Sequence, residues 1–197
     1  KITVKTFPDS IKESGKKYAL ALKLKSKNGV NEVLESGSKI LFVMAQVVRQ
    51  DVPVINYASR ITFNMRKEYA LTSWTVEMNV NIDQLGTEIG ELNNQMLFGG
   101  WAPSGKEGEI YTRFGDAAIE GNRLQIKTQG SQLNSKQLFK TNTWYHLAFV
   151  CEGTKLSIYV NGKLDSSMDL PGKVVNLSNI MRFASATHFV SNVKVSE

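Results

Sequence analysis

The sequence has 197 residues, of which 42% are hydrophobic and 21% charged, which is typical of a soluble globular protein with one large or two small domains. It has no apolar run near the roughly 20 residues that a membrane-spanning helix needs, so we expect a chain that does not span a membrane. The formal net charge is +6, but Lys and Arg outnumber Asp and Glu by 10 to 5 through Pro53 and only by 14 to 13 afterwards.

The N-terminal excess of positive charge is not predicted to form a nucleic-acid site. In "KYALALKLKSKNG", Leu20, Leu22 and Leu24 alternate with polar positions, so Lys23 and Lys25 fall on the opposite face of a strand. No aromatic residues lie between the lysines to stack on bases. We therefore expect a solvated sheet face and no nucleic-acid partner.

The first part of the chain reads as three strands, "KITVKTF", "KYALALKLK" and "KILFVMAQVV". The third is a continuous apolar run, typical of a strand buried on both faces. Asp51, Pro53 and Asn56 then interrupt the pattern, which predicts a boundary. Because three strands are few for an independent domain, we interpret residues 1–53 as a partial N-terminal β-sandwich segment, shortened at its start, and residues 54–197 as a second domain.

The second domain begins its clearest alternation at "SWTVEMNVNID", where Trp74, Val76, Met78, Val80 and Ile82 share one face. We expect this face to pack across a sandwich against the hairpin that carries Leu147 and Phe149, because two sheets bury their inner faces together. Further strands are predicted in "NQMLFGGW", "GEIYTRFG", "NRLQIKTQ", "WYHLAFVC", "KLSIYVNG", "NIMRFAS" and "SNVKVS".

Turn signals separate these strands, and no long helical pattern occurs. Asn161 and Gly162 suit a tight turn with positive φ, and "EGNR" and "EGTK" are similar signals. Many strands at short spacing predict an all-β protein, an antiparallel sandwich. Cys151 lies within an apolar strand, so we expect a buried, unreactive thiol.

The order "SWTVEMNVNID", "QMLFGG" and "TWYHLAFVCEGTKLSIYVNGKL" resembles the laminin-G-like branch of the concanavalin A-like lectin and glucanase superfamily. The resemblance covers about the C-terminal two-thirds of the chain. It implies a jelly-roll of two curved antiparallel sheets, and carbohydrate recognition or extracellular adhesion as function. It also implies structural roles, in core or edge packing, for Trp144 and His146.

The N-terminal stretch "SGKKYALALKLKSKNG" followed by "KILFVMAQV" resembles the end of a domain of unknown function in outer-surface lipoproteins of gut bacteria. That resemblance implies glycan capture by an exported protein. It places the protein outside the cell or on its outer surface, through a lipid anchor or signal not present in this chain. At the other end the chain stops at "NVKVSE", where the laminin-G-like family usually continues into one more hydrophobic strand, so that resemblance implies truncation at the C-terminus as well.

An enzyme is the less favoured class. Retaining glycosidases need two carboxyl groups about 5 Å apart. Glu107 and Glu109 have a suitable spacing but fall in a predicted solvated loop, and Glu77 is isolated on its face. We predict no catalytic residue, and keep a glycoside hydrolase as the weakest alternative.

Metal and cofactor sites lack a sequence signal. Asp83, Asp116 and Asp165 lie near strand ends, but no acidic loop motif brings them together. A calcium site needs six to eight oxygen ligands. We therefore predict no cofactor and no metal site, leaving calcium open.

A sugar site needs an exposed aromatic ring beside planar polar groups, and "FGGWAPSGKEGEIYTRFGD" offers one. Trp101 follows two glycines, and Tyr111 and Arg113 share the strand face away from the core. For Trp101, an exposed stacking position and a lid folded over the core stay open. We predict a noncatalytic carbohydrate-binding module with a polysaccharide or glycan partner and Trp101, Tyr111 and Arg113 as ligand-binding residues; the alternative is a protein-binding adhesion module.

Overall fold

The structure, a computed structural model, describes residues 18–23, 39–44, 51–56, 58–88, 94–184 and 192–196. The chain divides into two compact units, Lys1–Asp51 and Val52–Glu197. None of the described residues forms a helix of the length and hydropathy that would cross a membrane. The described strands are β1 Tyr18–Lys23, β2 Lys39–Met44, β3 Val54–Ile55, β4 Ile61–Asn64, β5 Tyr69–Leu71, β6 Ser73–Ile82, β7 Gln95–Trp101, β8 Glu109–Asp116, β9 Ile119–Thr128, β10 Ser131–Leu138, β11 Trp144–Glu152, β12 Lys155–Val160, β13 Lys163–Asp169, β14 Val175–Leu177, β15 Ile180–Phe183 and β16 Val193–Ser196.

In the first unit, β1 and β2 form an antiparallel pair in which Tyr18 lies opposite Met44 and Lys23 opposite Lys39. The predicted strand "KITVKTF" lies outside the described residues. The prediction that the apolar run of β2 is buried on both faces is wrong, because Leu41 is 63% exposed. Pairing with β1 supplies neighbours within the sheet but covers neither face of β2.

In its described residues the second unit is a sandwich of two six-stranded sheets, with a small additional pair formed by β14 and β5. We call the sheet with strand order β10-β9-β8-β7-β15-β4 the front sheet, and the one with order β13-β12-β11-β6-β16-β3 the back sheet. Every strand pairing is antiparallel among the residues described. The predicted all-β antiparallel sandwich is confirmed.

The core lies between the two sheets and is supplied by alternate residues of each strand. Leu97, Phe114 and Ile126 enter it from the front sheet, and Leu147 and Phe149 from the back sheet, all buried. This arrangement follows from the period of two in a strand, which sends neighbouring side chains to opposite faces. Only the side chains on the outer faces of the two sheets are therefore in a position to contact a ligand.

The inward face of β6 was predicted correctly, but its packing partner was not. Trp74, Met78 and Val80 are buried, and Val76 is partly buried against the same core. However, β6 pairs directly with β11, so Phe149 lies beside Val76 in the back sheet and not across the sandwich from it. Alternation defines which face of a strand is buried, whereas strand order depends on the topology.

Two local predictions are confirmed. Asn161 and Gly162 have φ values of 51° and 75° and join β12 to β13 as a two-residue turn, because Val160 pairs with Lys163. Asn161 also accepts a hydrogen bond from the backbone N–H of His146 at 2.9 Å. Cys151 is buried, and that burial raises the pKa of its thiol, with the nearby Glu152 charge adding to the effect.

We expect a fragment beginning at Val52 to fold alone and to unfold in one cooperative transition. The described core residues, including Ile55 of β3, all lie within residues 52–197. Chemical denaturation followed by Trp fluorescence measures this, with the intact chain as the control. A gradual, uncooperative change in the fragment would show that residues 1–51 complete the core.

Candidate functional site

A pocket lies on the outer face of the front sheet, where β7, β8 and β9 run side by side. Its volume is about 290 Å³, and its lining residues are Asn94, Trp101, Glu109, Tyr111, Arg113 and Lys127. The alternation of β8 explains the arrangement, because Ile110, Thr112 and Phe114 are buried in the opposite direction. Such a volume is near the lower limit for small-molecule sites.

Trp101 is the last residue of β7, and its side chain folds back along its own strand. A Cβ added at Gly99 would lie 2.4 Å from Cη2 of Trp101, so the ring rests where Gly99 has no side chain. The ring is not part of the buried core, and Trp101 is 37% exposed. Trp101 is therefore a platform on the outer face of the sheet, and the lid over the core is the wrong alternative.

Tyr111 lies between Trp101 and Arg113 and is half-buried by them. The ring centroids of Trp101 and Tyr111 are 5.8 Å apart and tilted by 46°, and Cζ of Arg113 lies 5.3 Å from the Tyr111 centroid. The Tyr111 hydroxyl donates a hydrogen bond to the side-chain oxygen of Asn94. Burial raises the pKa of Tyr111, despite the opposing charge of Arg113, so its hydroxyl stays protonated at neutral pH.

Arg113 is 8% exposed, and neighbouring strands hold its guanidinium in place. Its Nε donates to Oε1 of Gln125 at 2.7 Å, and its Nη2 pairs with Asp116. Gln125 in turn donates to Oδ1 of Asn134 at 2.8 Å. These contacts link β8, β9 and β10 through one polar network, which keeps the Arg113 side chain fixed under Tyr111.

A second cavity has a volume of about 490 Å³, and Glu109 lines both this cavity and the pocket. Glu109 pairs with Nζ of Lys127 at 3.4 Å. Gly108 also lines the second cavity. Its φ is 148°, and a Cβ added there would be 2.4 Å from the backbone of Asn176. Only glycine permits this close approach, which positions the loop between β7 and β8 against β14.

The structure brings the three predicted site residues together, although their binding of a ligand stays a prediction. Sequence reasoning missed Asn94, Gln125, Lys127 and Asn134. Two of these positions follow from the strand register, since Gln125 lies opposite Arg113 and Lys127 opposite Tyr111. The only sequence signal for them was the alternation within "NRLQIKTQ", where Gln125 and Lys127 alternate with apolar residues and so share the outer face of the strand.

The carboxylates considered for catalysis or metal binding lie in different surroundings. Glu107 is exposed in a loop, and Glu109 is bound to Lys127. Asp83 accepts two hydrogen bonds from Asn192, at 2.8 and 2.6 Å, and Asp165 accepts the backbone N–H groups of residues 136 and 137 at 2.7 and 3.0 Å. Across the described ranges, no three acidic, His or Cys side chains gather as metal ligands.

Of the two packing roles expected for Trp144, the structure contradicts the one in the core, and a role in edge packing stays a prediction. This side chain is 46% exposed at the start of β11 and is not in the core. The physical reason is that successive side chains of a strand point to opposite faces. Tyr145 and Leu147 point inward, so Trp144 points outward. His146 is half-buried on the same face, and its Nε2 lies 2.6 Å from Oε1 of Glu77, so Glu77 is not isolated.

Comparisons with known proteins agree with this architecture. Residues 56–188 match the laminin G family profile described as the concanavalin A-like lectin/glucanases superfamily. No curated protein matches the sequence.

Two solved structures illustrate the similarity. One is a candidate carbohydrate binding protein from Bacteroides ovatus ATCC 8483, at 18% identity and a TM-score of 0.55, covering 93% of this chain and 52% of that one. The other is the pair of domains LG4-5 of the mouse laminin alpha1 chain, at 6% identity and a TM-score of 0.51, covering 76% and 46%. This chain thus spans about half the length of each, and identities this low establish the fold alone.

Proposed function

The chain belongs, over residues 56–188, to the laminin G branch of the concanavalin A-like lectin/glucanases superfamily, and from that premise we propose that it is a noncatalytic carbohydrate-binding module. The observation that carries the proposal is the pocket on the front sheet. An exposed Trp101 ring lies beside Tyr111 there, surrounded by amide and charged side chains. Sugars offer C–H faces to aromatic rings and hydroxyl groups to such polar partners.

The residues of the pocket take separate roles in this proposal. Trp101 and Tyr111 supply the apolar surface on which a sugar ring packs. Asn94 and Lys127, at the edge of the pocket, supply groups that hydrogen-bond sugar hydroxyls. Arg113 packs against the Tyr111 ring and supports it. Its guanidinium is not the main ligand-binding group, because it already donates hydrogen bonds to Gln125 and Asp116. A site with one or two aromatic contacts binds weakly, with Kd near the millimolar range that corresponds to about 4 kcal/mol.

We place the module in an exported protein that captures glycans at the cell surface. The support for this part is the resemblance of "SGKKYALALKLKSKNG" and the following strand to a domain of gut bacterial surface lipoproteins. Fractionation of cells that produce the protein, with surface proteolysis, tests the location independently of glycan binding.

A glycan array probed with the intact chain tests the central proposal. We expect binding to a defined group of glycans, with millimolar or tighter affinity by calorimetry, and no product released from them over extended incubation. Product release would instead support the glycoside hydrolase. Absence of binding to every glycan would contradict the proposal and favour the protein-binding adhesion module.

The adhesion alternative has an observation of its own. Trp144 and Leu164 are 46% and 56% exposed, and both lie on the outer face of the back sheet. A contiguous patch of such side chains marks a protein-binding surface, and these two residues would be its starting points on the back sheet. Trp144→Ala therefore serves as the control that separates the two faces in the experiments below.

A further inference from the structure

Arg182 occupies the centre of β15, directly beside the platform formed by Trp101. In the front sheet, Arg182 lies opposite Gly99 of β7, and Gly99 lies opposite Tyr111 of β8. Directly opposed residues of a sheet project to the same face. The Arg182 side chain therefore emerges on the outer face, on the side of the Trp101 ring away from Tyr111.

The charges around the platform leave Arg182 without a counterion. Arg113 is paired with Asp116, and Lys127 with Glu109. Arg182 is exposed and forms no ion pair or side-chain hydrogen bond in the part of the chain described. Arg113, Lys127 and Arg182 carry three positive charges, and Asp116 and Glu109 carry two negative charges. The net charge of this group is therefore +1, and the unpaired charge is that of the Arg182 guanidinium beside Trp101.

We infer that the glycan recognised at this site carries an acidic sugar whose anionic group pairs with Arg182. The inference rests on the proposed function and narrows its substrate class. Neighbouring strands lie about 4.8 Å apart, so a carboxylate or sulfate on a sugar stacked over Trp101 comes within reach of the long Arg182 side chain. A guanidinium binds such groups through two parallel N–H···O bonds, which makes Arg182 the residue that selects acidic over neutral sugars.

The test uses pairs of glycans that differ only in the acidic group. One arm compares trigalacturonic acid with its carboxyl-reduced, neutral trisaccharide, and further arms compare sialylated and sulfated oligosaccharides with their desialylated and desulfated forms. We expect the intact chain to prefer the acidic member of at least one pair, and this preference to weaken as salt is raised. The arm that binds distinguishes a carboxylate from a sulfate.

The variant Arg182→Gln is expected to lose about tenfold in affinity for the acidic member and to bind the neutral member as before. Lys163→Gln is the matched control, since Lys163 is exposed at the start of β13 in the back sheet and its replacement removes the same charge. Circular dichroism and the unfolding midpoint verify that both variants are folded. The control should retain the full preference.

Two results would overturn the inference, and they are distinct from failure of the proposed function. Glycan binding with equal affinity for acidic and neutral members, or a preference that survives Arg182→Gln, removes Arg182 as the selecting residue while leaving a carbohydrate-binding module. If no glycan of either kind binds the intact chain, the proposed function fails, and the inference that depends on it fails too.

Discussion

Replacing Phe149 by alanine is expected to lower the free energy of unfolding by about 3–5 kcal/mol. Phe149 is fully buried at the centre of β11, where it lies beside Val76 of β6 and Ile158 of β12. Truncation removes its contacts with the front sheet and leaves a cavity that a close-packed core fills poorly. Because whole domains are stable by only about 5–15 kcal/mol, this single change should move the denaturation midpoint strongly.

The neighbouring residue provides the control. Val150 follows Phe149 in β11 but points to the outer face of the back sheet, where it is half-buried beside Thr75 and Ser157. Val150→Ala should cost less than about 1 kcal/mol. Urea denaturation of the two variants and the unchanged chain gives both values. Equal losses would mean that the inward and outward faces of β11 have been assigned wrongly.

The sequence predicts a strand well where one face of the strand is buried and the other face is exposed to solvent. β6, β11 and β12 show this alternation, and their inward residues, such as Met78, Leu147 and Ile158, are buried as expected. The same rule could have placed Trp144 outside, since it differs by an odd number of positions from Leu147 and Phe149. The family resemblance allowed core packing for Trp144, whereas the alternation places it on the outer face, where the structure has it.

Edge strands were not predicted, and the reason is physical. β10 and β13 lie at the outer ends of the front and back sheets, where both faces of a strand are partly solvated. Their sequences, "SQLNSKQL" and "KLDSSMD", are mostly polar, and each has only two apolar residues, so neither shows a strong apolar alternation. Their ends are held instead by the Asp165 carboxylate, which accepts hydrogen bonds from the β10 backbone. Such a contact between distant strands leaves no local pattern.

The candidate site was predictable only within each strand. Residues two positions apart in a strand share a face, which predicts that Tyr111 and Arg113 lie together. The glycines before Trp101 indicate an irregular strand end. The neighbours Lys127 and Arg182 come from β9 and β15, on opposite sides of β7 and β8. Their proximity depends on the return of β15, late in the chain, to pair with β7. Sequence alone does not specify that pairing or its register.

Replacing Trp101 by alanine should weaken glycan binding about five- to tenfold without unfolding the protein, because one aromatic stack contributes about 1 kcal/mol. The residue is 37% exposed and lies outside the core, so its loss opens no internal cavity. Calorimetry with the glycan found on the array measures the affinity, and the unfolding midpoint verifies the fold. Trp144→Ala is the matched control, as it removes an equally large and comparably exposed ring from the back sheet.

The variant Gly99→Ala sharpens this test, because it leaves the tryptophan present but moves it. The added methyl group would lie 2.4 Å from Cη2 of Trp101, so the ring must leave its position over the strand. Affinity should then fall to nearly the level of Trp101→Ala, which shows that the orientation of the ring matters and not only its presence. If Trp144→Ala weakens binding while Trp101→Ala and Gly99→Ala do not, the glycan binds the back sheet, and the pocket on the front sheet is not the site.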